Sequence, residues 1–323
     1  MRLSSRWVHK YLHFTCYRIS RPSPPTFPTP CPIPQHTRTM AIISFADGNA
    51  IPKIGFGTGS ALFKKDCAAS VTLAIQSGFT HLDCAQAYEN EAALAAGLKA
   101  SGKARSEVFI TTKLRPGTAA AKVKESVVES LQKLGVDQVD LFLIHAPRPL
   151  VEGDTLPSLW AAVEAIQTEG LAKNVGVSNF TADDLKAIVP TAKILPAANQ
   201  IELHPYVYKA AEPILAYAQE KGIKIESYGG LTPLVRAPGG PVDEVLTRII
   251  SRLGGSVTSA QVLTKWLWQK GAVVVTTSSK EDRLKEYLAS ADVADLTAEE
   301  IKAIDEAGAK LHKRVFMAHV FGE

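Results

Sequence analysis

Four side chains in this sequence could together move a proton beside a reacting oxygen. Asp83 closes the short apolar run Thr80-His81-Leu82-Asp83, and Tyr88 follows five residues later. Lys113 follows the run 108–112, and His145 follows the run 140–144. A free phenol has a pKa of about 10 and gives up its proton reluctantly near neutral pH. An ammonium within hydrogen-bond reach favours the phenolate and lowers that value, each unit being worth about 1.4 kcal/mol. Asp83 would keep Lys113 charged and in place. An imidazole can orient a substrate oxygen and donate to it. Reduction of a carbonyl needs this set, because hydride arriving at the carbon makes an alkoxide that must be protonated. Tyr88 is therefore assigned as general acid, Lys113 and Asp83 as its tuning pair, and His145 as the carbonyl-orienting group.

Each residue alone has a plainer explanation. Asp83 could cap a helix starting near Asn90, Lys113 could be a solvated charge, and His145 could be a satisfied core histidine. The weight lies in their joint occurrence at the ends of consecutive strands.

Those strands belong to a repeating unit: an amphipathic helix, a glycine, a short apolar strand and a polar loop. The closing glycines are Gly78, Gly102, Gly135, Gly170, Gly222 and Gly271, each suited to the left-handed position past a helix end. Val123, Val127, Leu131 and Leu134 share one helical face, as do Leu159, Val163 and Ile166. Continuous apolar runs fit strands buried on both faces of a parallel sheet. Eight are expected, near 54–57, 80–83, 108–112, 140–144, 173–177, 196–201, 223–227 and 272–276. Eightfold alternation predicts a (β/α)8 TIM barrel rather than a doubly wound sheet, with function at the C-terminal strand ends. A β-hairpin turning at Asp47-Gly48 precedes it, the segment 230–250 is a long insertion, and an extra C-terminal helix is expected over 297–311.

The words Leu-Asp-x-Ala-x-x-Tyr-x-Asn-Glu and Leu-x-Leu-Ile-His, with Val175-Gly176-Val177-Ser178-Asn179-Phe180, resemble the aldo-keto reductase family over roughly residues 42–310. The resemblance implies a barrel that binds a nicotinamide dinucleotide without a Rossmann fingerprint, acts on a small-molecule carbonyl and is a monomer. It implies that Ser178, Asn179 and Gln200 hold the nicotinamide carboxamide, that Tyr228 stacks on the ring, and that Gly57, Thr58 and Leu231 lie at the same end. Ser178 and Asn179 could instead cap the helix after Thr181. At the far end Thr277, Ser278, Arg283 and Glu286 are in register with the cofactor contacts. Thr277 stands where relatives carry a lysine for the 2′-phosphate. Arg283 can still meet that phosphate, and Lys280 could restore the charge. NADPH is the expected cofactor, with NADH the alternative that Thr277 opens. Tyr228-Gly229-Gly230-Leu231-Thr232-Pro233 and the Thr-Thr-Ser-Ser run resemble fungal ketoreductases of α-keto amides and conjugated polyketones. Trp160 or residues near it, Tyr206 and the apolar tail 313–321 are the expected substrate walls, the tail otherwise packing against the barrel.

The bulk numbers agree. The chain has 323 residues, 46% hydrophobic and 21% charged, as for an ordinary globular protein. Its net charge of +4 owes much to Arg2, Arg6, Lys10, Arg18, Arg21 and Arg38, so the remainder gives no nucleic-acid footprint. Cys16, Cys31, Cys67 and Cys84 have no metal-ligand spacing and suit a reducing compartment. No apolar run reaches transmembrane length, and no membrane partner is expected. Residues 1–39 form a Pro- and Arg-rich extension expected to be disordered. It reads either as an organellar transit peptide or as an upstream start-site artefact ahead of Met40. The expected location is cytoplasmic, or mitochondrial if the extension is a transit peptide. Two rivals stand beside the reductase: a nicotinamide-binding regulatory subunit on the same fold, and a metal-dependent hydrolase. The second would need ligands clustered at strand ends, and His81, His145 and His204 do not share that placement.

Overall fold

The structure is a computed structural model and describes residues 41–323; the expectation for residues 1–39 lies outside the described residues. Two short strands, β1 (Ile42–Ser44) and β2 (Ala50–Pro52), pair antiparallel with Ile43 opposite Ile51. Phe45 N–H bonds to Asn49 O across the turn at 2.7 Å, and Gly48 takes the left-handed φ of +88° that the turn needs. Phe45 and Ile51 are buried with Phe109, Leu141, Leu143, Ala198 and Val273, so the hairpin floors the barrel.

Eight parallel strands then close on themselves: β3 (Ile54–Gly57), β4 (His81–Asp83), β5 (Phe109–Leu114), β6 (Val139–Ile144), β7 (Ala172–Ser178), β8 (Ala198–Glu202), β9 (Lys224–Tyr228) and β10 (Val273–Thr276). Parallel register sets Asp83 beside Thr111, Lys113 beside Leu143, and Glu202 beside Tyr228. One refinement concerns β5. It runs on through Leu114, so Lys113 lies inside the strand rather than after it. The inward-facing side chain is thereby enclosed by the barrel.

The helices lie where the apolar periodicity expects them. Val123–Leu134 buries Val127, Leu131 and Leu134, and Leu156–Thr168 buries Leu159, Val163 and Ile166. Each such side chain contributes about 1.5–3 kcal/mol by leaving water. The six closing glycines all have positive φ. The long insertion after β9 folds as Thr232–Val235 and Val242–Leu253, and the added C-terminal helix is Ala298–Gly308. Trp266, buried in Ser259–Gln269, donates its Nε1–H to Asp305 Oδ1 at 2.9 Å and ties that last helix down. No helix among the described residues is long and apolar enough to cross a membrane.

Candidate active site

At the C-terminal ends of the strands β4, β5 and β6 bring Asp83, Lys113 and His145 to one spot. Lys113 has no exposed surface. Its Nζ donates to Asp83 Oδ1 at 2.5 Å and to Cys84 O at 2.9 Å, and lies 5.2 Å from the centre of the Tyr88 ring. Burial works to lower the Lys113 pKa, but Asp83 and Tyr88 outweigh it and hold the ammonium above its ordinary value. Lys113 is thus no solvated charge. Nor does Asp83 cap a helix: its second oxygen accepts from Gln200 Nε2 at 2.8 Å.

Tyr88 is brought over this pair by a short 3-10 turn, Gln86–Tyr88. Its ring meets that of His145 edge-on, with centres 5.4 Å apart. A Cβ on Gly59 would lie 3.0 Å from the Tyr88 ring, so any larger residue there would press on the phenol. The phenol departs from the sequence expectation in one respect. Burial raises its pKa above the ordinary value by more than Lys113 lowers it. The cation acts in the expected direction, but Asp83 beside it returns part of the negative charge.

His145 is buried, and burial together with Lys113 pushes its pKa down to about 3. The ring is therefore neutral, with one N–H to give. Its Nδ1 has no partner among the described residues, so it is not a satisfied core histidine.

These groups open into a cleft of about 660 Å³, within the range of small-molecule sites. Gly57, Ser178, Asn179, Gln200, Tyr228 and Leu231 line its inner half. Ser178 Oγ donates to Gln200 O at 2.8 Å; Asn179 Nδ2 donates to His145 O at 2.9 Å; Tyr228 OH donates to Asn179 Oδ1 at 2.7 Å. Asn179 has φ +61°, and the cap of the next helix is Thr181, whose Oγ1 accepts from Asp184 N. The capping alternative for Ser178 and Asn179 does not hold. Gln200 spends its Nε2 on carboxylates, while its Oε1 has no hydrogen-bond partner among the described residues. A carboxamide N–H from a nicotinamide would fit that acceptor.

Thr58 does not line the cleft. It is buried, and its hydroxyl donates toward Asp83 O at 3.2 Å and Asn90 Oδ1 at 3.1 Å. Asn90 in turn donates to Thr58 O and Leu62 O, which fixes the glycine-rich loop. At the far end Thr277, Ser278 and Arg283 line the cleft, with Arg283 exposed. Glu286 does not: its Oε1 accepts from Thr258 Oγ1 at 2.6 Å. Tyr287 and Thr264 do line the cleft, and sequence reasoning missed them. Tyr287 is one helical turn past Arg283, a spacing that could have revealed it; Thr264, inside an amphipathic helix, carried no signal.

Of the residues expected as substrate walls, only two from the tail line the cleft. Trp160 is buried in an outer helix with its Nε1–H on Ile194 O, and Tyr206 packs beneath Gly240. Helix phase turns both away from the cleft. Phe316 and Met317 line it, joined by Phe63 and Val235. Glu202 holds the tail, accepting from the N–H of Val315 at 3.0 Å and of Phe316 at 2.9 Å. Phe316 then meets the Tyr228 ring edge-on at 5.7 Å.

Among the described residues, one trio could offer three metal ligands. His81, Asp83 and Glu226 have donor atoms within 4.8 Å of one another. Lys113 already brings a positive charge to Asp83, which opposes a cation there.

The sequence pattern described as Aldo/keto reductase family matches residues 53–236. A relative from Schizosaccharomyces pombe, named NAD/NADP-dependent indole-3-acetaldehyde reductase, is 41% identical over 85% of this chain and 98% of its own length. The NADPH-dependent alpha-keto amide reductase of Saccharomyces cerevisiae is 32% identical over 81% of this chain and 89% of its own. A Bombyx mori aldo-keto reductase, solved in complex with NADP, superposes with a TM-score of 0.76 at 29% identity, covering 87% of this chain and 96% of that one.

Proposed function

This chain belongs to the aldo/keto reductase family, and we propose that it reduces a ketone or aldehyde to the alcohol with NADPH, Tyr88 giving the proton. It is an NADP-dependent oxidoreductase of that family. The observation that carries the finer reading is the stack of Asp83, Lys113, Tyr88 and His145 at the inner end of one cleft.

A nicotinamide dinucleotide bound in the cleft would supply hydride to the carbonyl carbon. Gln200 Oε1, with Ser178 and Asn179 beside it, would receive the carboxamide, and Tyr228 offers a ring face for stacking. Neutral His145 donates to the carbonyl oxygen and aligns it with Tyr88. Tyr88 is fully protonated near neutral pH, the form required of a donor. As its proton passes to the alkoxide, Lys113 stabilises the phenolate left behind. Asp83 keeps Lys113 aimed.

For the cofactor's outer end we assign Ser278 and Arg283 to the 2′-phosphate and adenine. Arg283 is exposed, touches the Tyr287 hydroxyl and forms no ion pair among the described residues, so its charge is available to a phosphate. Thr277 supplies no charge, which narrows the preference over NADH. Glu286 would act indirectly, by holding the helix Glu281–Leu288 through Thr258. The apolar rim of Phe63, Val235, Phe316 and Met317 suits a carbonyl with an apolar or aromatic body, α-keto amides and α-dicarbonyls among the candidates.

Fluorescence titration with NADPH and NADH, then NADPH oxidation over a panel of activated ketones and aldehydes, tests this. Tight NADPH binding with turnover is expected. Binding without oxidation of any panel member would instead support the regulatory-subunit reading.

A further inference from the structure

Beneath Asp83 lies a second acid that the reaction above does not use. Glu226, in β9, has no exposed surface. Gln200 Nε2 bridges the two acids, donating to Asp83 Oδ2 at 2.8 Å and to Glu226 Oε2 at 3.2 Å. The other oxygen of Glu226, Oε1, has no partner among the described residues.

The charges facing this space can be counted strand by strand. β4 presents His81 and Asp83, and β5 presents Lys113. β8 contributes the neutral amide of Gln200, while β10 and β3 carry no ionisable side chain. His81 is kept neutral, since burial pushes its pKa down to about 4. One cation therefore serves two buried carboxyls, and Lys113 bonds to Asp83 rather than to Glu226. Two ionised carboxylates here would leave an uncompensated charge in the barrel. Buried carboxyl pairs resolve that by retaining a proton.

We propose that Glu226 is a positioning residue that carries this proton: neutral, it leaves the Lys113 ammonium shared between Asp83 and the Tyr88 phenol, and ionised, it adds a negative charge that opposes formation of the phenolate. Burial and the neighbouring Asp83 push its carboxyl up to about 8, consistent with the geometry. Retention of the proton is independent of the reaction; its effect on rate rests on the carbonyl-reducing function proposed above.

Infrared spectroscopy of the whole protein, with and without carbon-13 in its glutamates, reads the proton directly. A carboxylic-acid C=O band that shifts with the label is expected near pH 6, lost with a midpoint close to 8, and absent from Glu226→Gln. The wild-type measurement needs no variant, and glutamine imitates the neutral acid closely enough to preserve packing. In parallel, the pH profile of NADPH oxidation should show an alkaline decline with that midpoint, of roughly tenfold, which Glu226→Gln abolishes. A wild-type protein with no such band near pH 6 overturns the proposal. A titrating band with an alkaline decline that survives Glu226→Gln overturns the positioning role. A titrating band in a protein that reduces no carbonyl supports the retained proton and instead removes the proposed function.

Discussion

The inner and outer ends of the cleft are built differently. At the inner end Asp83, Lys113, Ser178, Asn179 and Gln200 are almost wholly buried, each bonded to another residue of the site. At the outer end Arg283 is exposed, Thr277 and Ser278 are half-buried, and Glu286 is engaged with Thr258. Proton transfer tolerates little displacement, and the groups proposed for it are the ones the barrel itself holds. The phosphate recognition proposed for the outer end would rest on one exposed guanidinium, a placement that tolerates substitution. On the proposed reading the strands would fix the chemistry, and cofactor preference would be set at a helix start that can change without disturbing them.

Variants should show that contrast, most strongly at the inner end. Tyr88→Phe should lower kcat by about 10²–10⁴-fold and leave the NADPH dissociation constant within about twofold; parental turnover in this variant would mean that the proton comes from elsewhere. Lys113→Met removes the cation bonded to Asp83 in the core, at a cost of about 3–5 kcal/mol that urea unfolding would detect. An unchanged midpoint would mean that the pair contributes little to the fold. Arg283→Ala should weaken NADPH by roughly tenfold to a hundredfold, the loss of a charge-assisted bond worth about 1.5–3 kcal/mol, with NADH affected less and the melting temperature unchanged. Equal losses for both cofactors would remove Arg283 from the phosphate. The smallest effect is expected for Thr277→Lys, a gain in NADPH over NADH of about tenfold or less, read by paired titrations.

What was legible in the sequence follows the same division. Strands buried on both faces leave unbroken apolar runs, so β3 to β10 and the residues at their ends could be located directly. Asp83, Lys113 and His145 could be found because each interrupts or terminates such a run. Glu226 does so too, in Lys224-Ile225-Glu226-Ser227-Tyr228. Its pairing with Gln200 depends on the curvature of a closed barrel, which no local pattern records. Trp160 and Tyr206 were misplaced for a related reason: apolar bulk signals burial, and only helix phase decides which core receives it. The sign of the Tyr88 shift needed both its burial and the neutralising presence of Asp83, neither of which is a property of spacing.

The hairpin that floors the barrel also sets the surroundings of the charges above it. Phe45 and Ile51 pack with Phe109, Leu141, Leu143, Ala198 and Val273 across the mouth opposite the cleft. That apolar plug keeps water from beneath Lys113, Asp83 and Glu226, so each charge there weighs more than it would in solvent.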